Sequence, residues 1–232
     1  SKKIIRDRFL YNRIRKVYNV CEVRHSHLIM SFYNKYILPR LLNRAMKRQE
    51  FTTYRKEVVG SVSGVVLKIG FGSGANLPFY KNLTKLFALE PSLEMIDIAK
   101  KNAVNLSFLI EYIQTSAEKI SFPDNYFDYI VSTFSLCTVE NPQLVMQEIF
   151  RLLKPNGTFV FIEHGKSAYG SVSIFQSLLT PLSKAFSGGC HLDRNIEKII
   201  LDAEFDIKKI EKFTHKSQVL SFMYKGSASP KK

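Results

Sequence analysis

Three glycines alternate with other residues in the stretch VVLKIGFGSGANLPFY, which spans positions 65–80. Gly70, Gly72 and Gly74 come directly after an apolar run, so the backbone there can turn sharply and approach a ligand closely. Glu90 ends the next apolar run, where a carboxylate is placed to accept hydrogen bonds from both hydroxyls of a ribose. The glycine loop and the acidic strand end together predict a site for a nucleoside-containing cofactor.

Two common nucleotide motifs are excluded. A dinucleotide site has the pattern GxGxxG, which places a pyrophosphate over the start of a helix, but here the third glycine comes one residue earlier. Neither GxxxxGKS nor GxxxxGKT occurs in the chain, so a P-loop is excluded as well. The loop therefore predicts a nucleoside cofactor of another kind.

Side chains that suit proton transfer or pocket formation follow the fourth and fifth predicted strands. His164 and Glu163 are candidates for a base or for orienting an acceptor, and the alternative is a loop-capping histidine beside a partly solvated glutamate. Cys137 and Ser135 are placed to line a pocket, although burial in the core is the commoner situation for a cysteine. Both interpretations of each pair stay open.

The segment GGCHLDR raises the question of a metal site. Cys190 and His191 are adjacent, but sequence neighbours rarely form a ligand or nucleophile pair, and no second ligand cluster is evident from the sequence. His25 and His27 are two residues apart and do not share a helix face. The sequence predicts no metal site. Arg194 is expected either to anchor an anionic acceptor or to pair with a neighbouring carboxylate.

Alternating strands and helices must position these residues. Buried strands are predicted over 64–69, 85–90, 107–113, 127–133 and 158–163. Helices are predicted near Ala75, after Ser92 and after Asn141, and the sequence KPNG at 154–157 is expected to end the last of these and turn into the fifth strand. This order implies an α/β fold with a doubly wound, mostly parallel sheet.

The insert at about residues 165–195 is expected to determine acceptor specificity. Its apolar residues recur at helical spacing, and a proline among them is expected to kink the helix: Phe175, Leu178, Leu179, Pro181, Leu182 and Phe186. This apolar face is predicted either to lie over the pocket as a lid or to pack on the core.

Length and composition indicate one domain with extensions. The 232 residues are 45% hydrophobic and 23% charged, enough for one sizeable core. Cys21, Cys137 and Cys190 form no CxxC pair, which favours a reducing compartment. No apolar run reaches the roughly 18 residues of a membrane span, and the basic N-terminus lacks the apolar block of a secretory signal. The protein is expected to be cytoplasmic, either free or associated with a membrane surface.

Most of the positive charge lies near the N-terminus. The chain has a net charge of +14, and residues 1–50 hold 13 basic against 3 acidic residues. Apolar residues at positions 10–21 recur at helical spacing, which predicts a basic amphipathic helix. Its role is open between a helix packed on the domain, docking on an anionic membrane surface and, with less support, nucleic acid binding. We divide the chain into an extension, residues 1–55, and a main domain, residues 56–232.

Four stretches resemble, in order, the motifs of class I S-adenosylmethionine-dependent methyltransferases: VLKIGFGSGANLPFY, ALEPSLEMIDIAKKNA, SFPDNYFDYIVSTFSLCTVENP and EIFRLLKPNGTFVFIEH. The segments SLCTVENP, QSLLTPLSKAFSGGCHLDR and FMYKGSA are similar to the branch with thiol S-methyltransferases, whose close relatives methylate phospholipids and quinones. The resemblance implies a Rossmann-like sheet of seven strands with an antiparallel last strand. It also implies S-adenosyl-L-methionine as cofactor and a thiol, lipid amine or quinol precursor as acceptor.

The resemblance also assigns roles to residues. The methionine part of the cofactor is expected over the glycine loop, the ribose on Glu90 and the adenine near Leu93. The full cofactor set implied is Lys68, Gly70, Phe71, Gly72, Gly74, Asn76, Glu90, Pro91, Leu93, Ser116, Ala117, Glu118, Thr133 and Ser135. The acceptor pocket implied contains Leu136, Cys137, Cys190, His191 and Arg194, with His164 and Glu163 as catalytic residues.

Four residues depart from the family pattern. Lys68 stands where the family has an acidic residue near the cofactor's cationic methionine end, and Phe71 is bulkier than the usual residue. Lys68 is expected to pair with the cofactor's carboxylate, to lose its proton on burial, to point away, or to block the site. Ser116 replaces an aspartate that contacts adenine. Glu204 replaces a helix-ending glycine, which costs about 1 kcal/mol if that residue is left-handed.

Two functions follow from these observations. The first is methyl transfer from S-adenosylmethionine to a small or lipophilic acceptor at a membrane surface. The second is a catalytically impaired protein of the same fold, in which Lys68 and Phe71 block the cofactor and the basic N-terminus holds a partner.

Overall fold

The computed structural model describes residues 33–46, 48–104, 106–215 and 218–231. The described chain starts with a π-helical turn, Tyr33–Ile37. Helices α1 to α6 are Leu38–Met46, Gln49–Val59, Leu93–Asn102, Pro142–Leu152, Gly170–Phe186 and Ile196–Asp202. Strands β1 to β7 are Ser63–Ile69, Asn82–Leu89, Leu109–Ile113, Phe127–Thr133, Leu153–Gly165, Phe205–His215 and Gln218–Pro230.

The seven strands form one sheet in the order β3-β2-β1-β4-β5-β7-β6. Strands β1 to β5 pair in parallel, and β7 runs antiparallel to both β5 and β6. The predicted Rossmann-like, doubly wound and mostly parallel fold with an antiparallel last strand is confirmed. The strand order reverses between β1 and β4, and in such sheets ligands bind there, at the carboxyl ends of the strands.

Local signals in the sequence account for the helix starts and buried faces. Ser92 caps α3 by accepting a hydrogen bond from the Met95 amide at 3.2 Å. Asn141 caps α4 because its side-chain oxygen accepts hydrogen bonds from the backbone amides of Gln143 and Leu144. The sequence periodicity predicts a buried face on each of these helices, and most of the predicted positions are buried: Ile96, Ala99, Val145, Ile149 and Leu152. Ala103 is only half-buried, and Leu153 is buried in β5 rather than in the helix.

Two local predictions are wrong. No α-helix begins near Ala75; Leu77–Phe79 form a single 3-10 turn instead, and β2 starts at Asn82. The glycine turns use much of the short connection between β1 and β2, and Pro78 cannot donate a backbone hydrogen bond. The sequence at 154–157 is not a separate turn, because β5 already begins at Leu153.

The sheet carries hydrophobic residues on both faces. Leu67 and Ile69 of β1 contribute to one buried cluster with α4 and α6, and Val66 contributes to the other with α2. Lys68 lies on the same face of β1 as Val66, because alternate residues of a strand point the same way. Strand β1, which precedes the glycine loop, is thus buried on both sides.

The N-terminal part of the described chain packs on the sheet as α2. Phe51, Val58 and Val59 of this helix are buried, and the predicted boundary between residues 55 and 56 falls inside it. The predicted amphipathic helix at positions 10–21, together with His25 and His27, lies outside the described residues. Among the helices that the structure describes, none has both the length and the apolar character needed to cross a bilayer.

The predicted helix of the insert is present as α5, which continues past Pro181. Most of its apolar side chains neither cover a pocket nor pack on the core, since Phe175 is 60%, Leu178 70% and Leu182 58% exposed, and only Leu179 of the predicted face is half-buried. Both alternatives predicted for this face are therefore wrong. The helix is held by polar contacts instead: Gln176 accepts a hydrogen bond from the Ser167 amide at 2.7 Å and donates to the Gly165 carbonyl at 3.0 Å.

Candidate active site

A cavity of about 750 Å³ opens at the carboxyl ends of β1, β2, β4 and β5, where the strand order reverses. The site residues predicted from the sequence divide into two groups at this cavity. Those that line it are Gly70, Phe71, Gly72, Asn76, Glu90, Pro91, Ser116, Ala117, Glu118, Thr133, Ser135, Cys137, His164 and Cys190. Those that do not line it are Lys68, Gly74, Leu93, Leu136, Glu163, His191 and Arg194.

The glycine loop needs its glycines for two different reasons. Gly70, Gly72 and Gly74 have φ of 60°, 59° and 77°, a region that other residues adopt only with strain. A Cβ on Gly70 would also collide with the Ser135 side chain. A Cβ on Gly72 would meet only the Met95 methyl, at 3.5 Å, so the space in front of Gly72 is open for a ligand. The loop therefore allows a ligand to approach the backbone at Gly72.

Glu90 is fixed beneath this loop by two backbone amides. Its Oε2 accepts a hydrogen bond from the Gly72 amide at 2.8 Å, and its Oε1 accepts one from the Ser92 amide at 3.0 Å. A carboxylate has about four acceptor positions, so Glu90 retains acceptor capacity in the cavity that it lines. This arrangement suits a carboxylate that binds ribose hydroxyls.

Lys68 does not enter the cavity. Its side chain is 1% exposed, and its Nζ donates hydrogen bonds to the carbonyls of Ile69 at 2.5 Å and Gly70 at 2.8 Å. Burial lowers the pKa of the Lys68 ammonium to about 7, although the negative charges of Glu163 and Glu90 favour the charged form. Of the outcomes considered above, the structure combines two: the lysine points away from the ligand space, and burial favours loss of its proton.

The far end of the cofactor cleft is built from residues that follow β3. Ser116 hydrogen-bonds the Glu118 carboxylate, and Glu118 accepts hydrogen bonds from the amides of Glu140 at 3.1 Å and Asn141 at 3.3 Å. Leu93, predicted to contact adenine, is the exposed first residue of α3, and Met95 lines the cavity in its place.

The sequence analysis missed the contribution of α1 and α2. The ring of Phe134 lies 5.2 Å from the ring of Phe51, 5.1 Å from that of His164 and 5.1 Å from the guanidinium of Arg55. Burial lowers the pKa of Arg55 to about 10. A signal for Arg55 was present, because it lies one helical turn from Phe51 and shares the buried side of α2 with Val58 and Val59.

Glu163 organises the segment after β4 rather than lining the cavity. Its Oε1 accepts hydrogen bonds from the Ser132 hydroxyl at 2.6 Å and the Ser135 amide at 3.1 Å, and its Oε2 accepts one from the Cys137 amide at 3.2 Å. This fully buried carboxylate faces no acceptor space, so its predicted catalytic role becomes one of positioning.

Arg194 supports the same segment from the other side. Its guanidinium donates hydrogen bonds to the carbonyls of Leu136 at 2.5 Å and Val139 at 2.7 Å, which matches neither of the two roles predicted for it. Leu136 itself is part of the hydrophobic core. His191 contributes its backbone amide, which donates to the Cys137 carbonyl at 2.7 Å.

Cys137, His164 and Cys190 come together at the cavity wall although they lie on three separate segments. Their ligand atoms are all within 4.8 Å of one another, and Cys190 Sγ lies 3.8 Å from His164 Nδ1. A hydrogen bond from the Cys137 thiol lowers the pKa of Cys190, with further help from His164. The same contact and burial raise the pKa of Cys137. The sequence analysis placed all three residues near the site but did not predict their contact.

A doubly wound sheet with a glycine-loop cleft, a strand-end glutamate and an adjoining apolar chamber defines a nucleoside-cofactor enzyme of the methyltransferase class. A family model described as "Methyltransferase domain" matches residues 67–161. The chain is 32% identical to thiol S-methyltransferase TMT1B of Rattus norvegicus over 193 residues, which cover 79% of each protein. It belongs to the class I S-adenosylmethionine-dependent methyltransferases, and S-adenosylmethionine is its cofactor.

Two further comparisons agree with this assignment. The chain is 27% identical to phosphatidylethanolamine N-methyltransferase of Cereibacter sphaeroides over 151 residues, 64% of this chain and 73% of that protein. The crystal structure of an S-adenosylmethionine-dependent methyltransferase from Aquifex aeolicus superimposes with a TM-score of 0.58 at 19% identity, covering 82% of this chain and 97% of that one. The similarity to the Aquifex aeolicus structure supports the fold.

The residues of the cavity fit this cofactor. Open space at Gly72 admits the methionine part close to the backbone, and Glu90 has acceptor capacity left for ribose hydroxyls. Phe71 does not fill the loop, because its ring packs edge-on against Tyr112 with the centroids 5.8 Å apart.

Proposed function

We propose that the protein transfers the methyl group of S-adenosylmethionine to the thiol of a small, lipophilic acceptor. The observation that carries this proposal is the chamber around Phe134, where apolar rings meet His164, Cys190 and a buried guanidinium. Leu38 and Leu42 of α1 add aliphatic side chains to the same cavity. Such a chamber favours an acceptor with an apolar body and one reactive polar atom.

The charge in this chamber favours a thiol over an amine. The Arg55 guanidinium lies against the Phe134 ring, so a protonated amine entering there meets a like charge. A thiol enters neutral and reacts as an anion, which the same guanidinium stabilises. The similarity to a thiol S-methyltransferase supports this choice, whereas the similarity to a phosphatidylethanolamine N-methyltransferase supports the lipid amine.

When bound, S-adenosylmethionine supplies a methyl group on a positively charged sulfur. The acceptor thiol loses its proton, and its sulfur lone pair forms the new bond to carbon as the bond to the sulfonium sulfur breaks and leaves its electron pair on that sulfur. His164 lines the cavity and is the side chain placed to accept the thiol proton. Holding the two sulfurs in line provides much of the acceleration in a displacement of this kind.

A matched acceptor panel tests the proposal. We would incubate the full chain with methyl-labelled S-adenosylmethionine and an aryl-alkyl thiol, its oxygen analogue, phosphatidylethanolamine vesicles or a quinol precursor. Methylation of the thiol alone is expected. Methylated phospholipid or quinol without methylated thiol would overturn the choice of acceptor, and no binding of S-adenosylmethionine in calorimetry would support the impaired-protein alternative.

We propose further that the protein meets its acceptor at the cytoplasmic surface of an anionic membrane. The exposed face of α5 presents Phe175, Leu178 and Leu182, and the next residues, Ser187 and Gly188, line the cavity. Tyr33 donates a hydrogen bond to the Phe186 carbonyl at 2.9 Å, so the described chain starts beside this face, and the sequence before Tyr33 is basic. Apolar side chains next to a basic segment are the combination that binds anionic lipid.

Vesicle flotation tests the membrane proposal. Binding to phosphatidylserine-containing vesicles at low salt, loss at high salt and weaker binding of Leu178→Ser are expected. The control Leu109→Ser, which changes an exposed leucine of β3 far along the sheet, is expected to bind like the parent protein. Equal binding to neutral and anionic vesicles, no binding to anionic vesicles, or binding of nucleic acid in place of lipid would contradict the proposal.

A further inference from the structure

Cys137, His164 and Cys190 offer two sulfur atoms and one imidazole nitrogen to the same small volume. Two thiols and an imidazole are the ligands that zinc-like ions prefer. We infer that these three side chains bind one soft divalent ion of the zinc type, whose fourth coordination position faces the cavity.

The distances suit such an ion. In a tetrahedral zinc site, bonds of about 2.3 Å to sulfur and about 2.0–2.1 Å to nitrogen place the ligand atoms about 3.5–3.8 Å apart. The separation of Cys190 Sγ and His164 Nδ1 is 3.8 Å, and no pair among the three ligand atoms is farther apart than 4.8 Å. Small side-chain rotations therefore bring all three atoms to bonding distance.

The backbone holds the ligands in place without using their side chains. The Cys137 amide is fixed by Glu163, and the Cys137 carbonyl accepts a hydrogen bond from the His191 amide at 2.7 Å, next to Cys190. The guanidinium of Arg194 joins the same two segments. A site whose supporting contacts form independently of the ligand atoms is preorganised for binding.

The three ligands leave one position open. All three residues line the cavity, so the remaining tetrahedral position faces the space proposed for the acceptor. If the acceptor is a thiol, which rests on the proposed function, its sulfur occupies this position as a thiolate, because a thiol bound to such an ion loses its proton to water. His164 then holds the ion instead of accepting the proton.

Metal content measured without any turnover tests the site itself. We would purify the full chain under reducing conditions, strip it with a chelator, add Zn²⁺ or Co²⁺ alone and remove the excess. One ion per chain and cobalt-thiolate charge-transfer absorption are expected. Cys190→Ser, Cys137→Ser and His164→Gln are expected to weaken ion binding more than about a hundredfold, beyond the loss of an outer contact.

Matched controls separate this site from unspecific thiol or imidazole binding. Cys21→Ser removes the remaining cysteine, and His191→Gln removes a histidine next to Cys190 that lies outside the cavity lining. Both controls are expected to keep one ion per chain. Loss of the ion in Cys21→Ser, its retention in Cys190→Ser, a Cys137–Cys190 disulfide in place of the ion, or no cobalt-thiolate band in the parent protein would overturn the inference. If Cys137→Ser fails to fold, the ion content of Cys190→Ser tests the site.

A second arm separates the ion site from the proposed acceptor. Adding an aryl-alkyl thiol to the cobalt-loaded chain is expected to shift the charge-transfer band, whereas the oxygen analogue is not. An unchanged spectrum with one ion bound would refute the thiol as fourth ligand and leave the three-residue site standing. Thiol methylation that persists in the chelated protein would support the proposed function and refute the role of the ion in it.

Discussion

Replacing Lys68 with methionine probes the charge buried beneath the cofactor loop. The charged groups that face its ammonium are Glu163 of β5, Arg55 of α2 and Glu90 at the end of β2. Burial outweighs the two carboxylates and lowers the Lys68 pKa from 10.5 to about 7. Methionine keeps an unbranched side chain and removes both the charge and the two hydrogen bonds of the ammonium.

The sign of the pH effect follows from the direction of this shift. Between about pH 7 and pH 10.5 the unfolded chain binds the lysine proton and the folded chain does not, so folding becomes more favourable as pH rises. At about 1.4 kcal/mol per pKa unit, Lys68 adds about 2 kcal/mol to the free energy of unfolding between pH 7 and pH 9. The free energy of unfolding of Lys68→Met does not increase in this way as the pH rises.

The net effect at neutral pH also includes two lost hydrogen bonds. The unfavourable contribution of Lys68 at pH 7 is about 4 kcal/mol, and the bonds to the Ile69 and Gly70 carbonyls return about 1 kcal/mol each. The variant should therefore be about 2 kcal/mol more stable than the parent protein near pH 7. This advantage should disappear by about pH 9.

Urea unfolding of both proteins at pH 7, 8 and 9, followed by circular dichroism, measures this difference. Other titrating groups are common to both proteins and cancel in the difference. Lys154→Met is the control, because Lys154 is a partly exposed lysine paired with Asp128 at 2.7 Å, and this variant measures the loss of a lysine charge that is not buried. A parent-minus-variant difference that stays constant from pH 7 to pH 9 would refute the assigned cost of burial.

Changes at four other positions have defined outcomes. Glu204 ends α6 with φ of 61°, so Glu204→Gly should raise the free energy of unfolding in urea by about 1 kcal/mol, and Glu204→Ala should not. Gly72→Ala should keep the fold and weaken S-adenosylmethionine binding more than tenfold in calorimetry, whereas Gly70→Ala, which collides with Ser135, should lower the melting temperature strongly. Glu90→Gln should weaken cofactor binding by about 10- to 100-fold in the same assay, and an unchanged Kd would contradict its role at the ribose.

The cofactor half of the site was predictable because local sequence determines it. A buried strand, a loop that requires positive φ at Gly70 and Gly72, and a carboxylate at the next strand end follow one another within about 20 residues. Neighbouring parallel strands bring their carboxyl ends together, so Glu90 must lie near the loop. The left-handed conformation at Glu204 agrees with the family resemblance, in which this residue replaces a helix-ending glycine.

The acceptor half was less predictable because it depends on long-range packing. Arg55 and Phe51 reach the cavity only because α2 packs on the sheet, and the sequence gives no register for that contact. Cys137 follows β4, His164 lies near the end of β5 and Cys190 follows α5, so only the complete topology brings them together. The exposed apolar face of α5 resembles a core-facing stripe in sequence, because helical periodicity identifies the stripe and not what covers it.

One hydrogen-bond network joins the cofactor half and the acceptor half of the site, and Lys68 is part of this network. Lys68 donates to the Ile69 carbonyl, which also accepts the Ser135 hydroxyl at 2.9 Å, while the Ser135 amide donates to Glu163. The ends of β1 and β4 are therefore tied through one carbonyl and one carboxylate. Because Glu163 also holds the Cys137 amide, its removal must disturb cofactor binding and acceptor positioning together. Lys68 acts from below the loop, by donating hydrogen bonds to the Ile69 and Gly70 carbonyls that shape it.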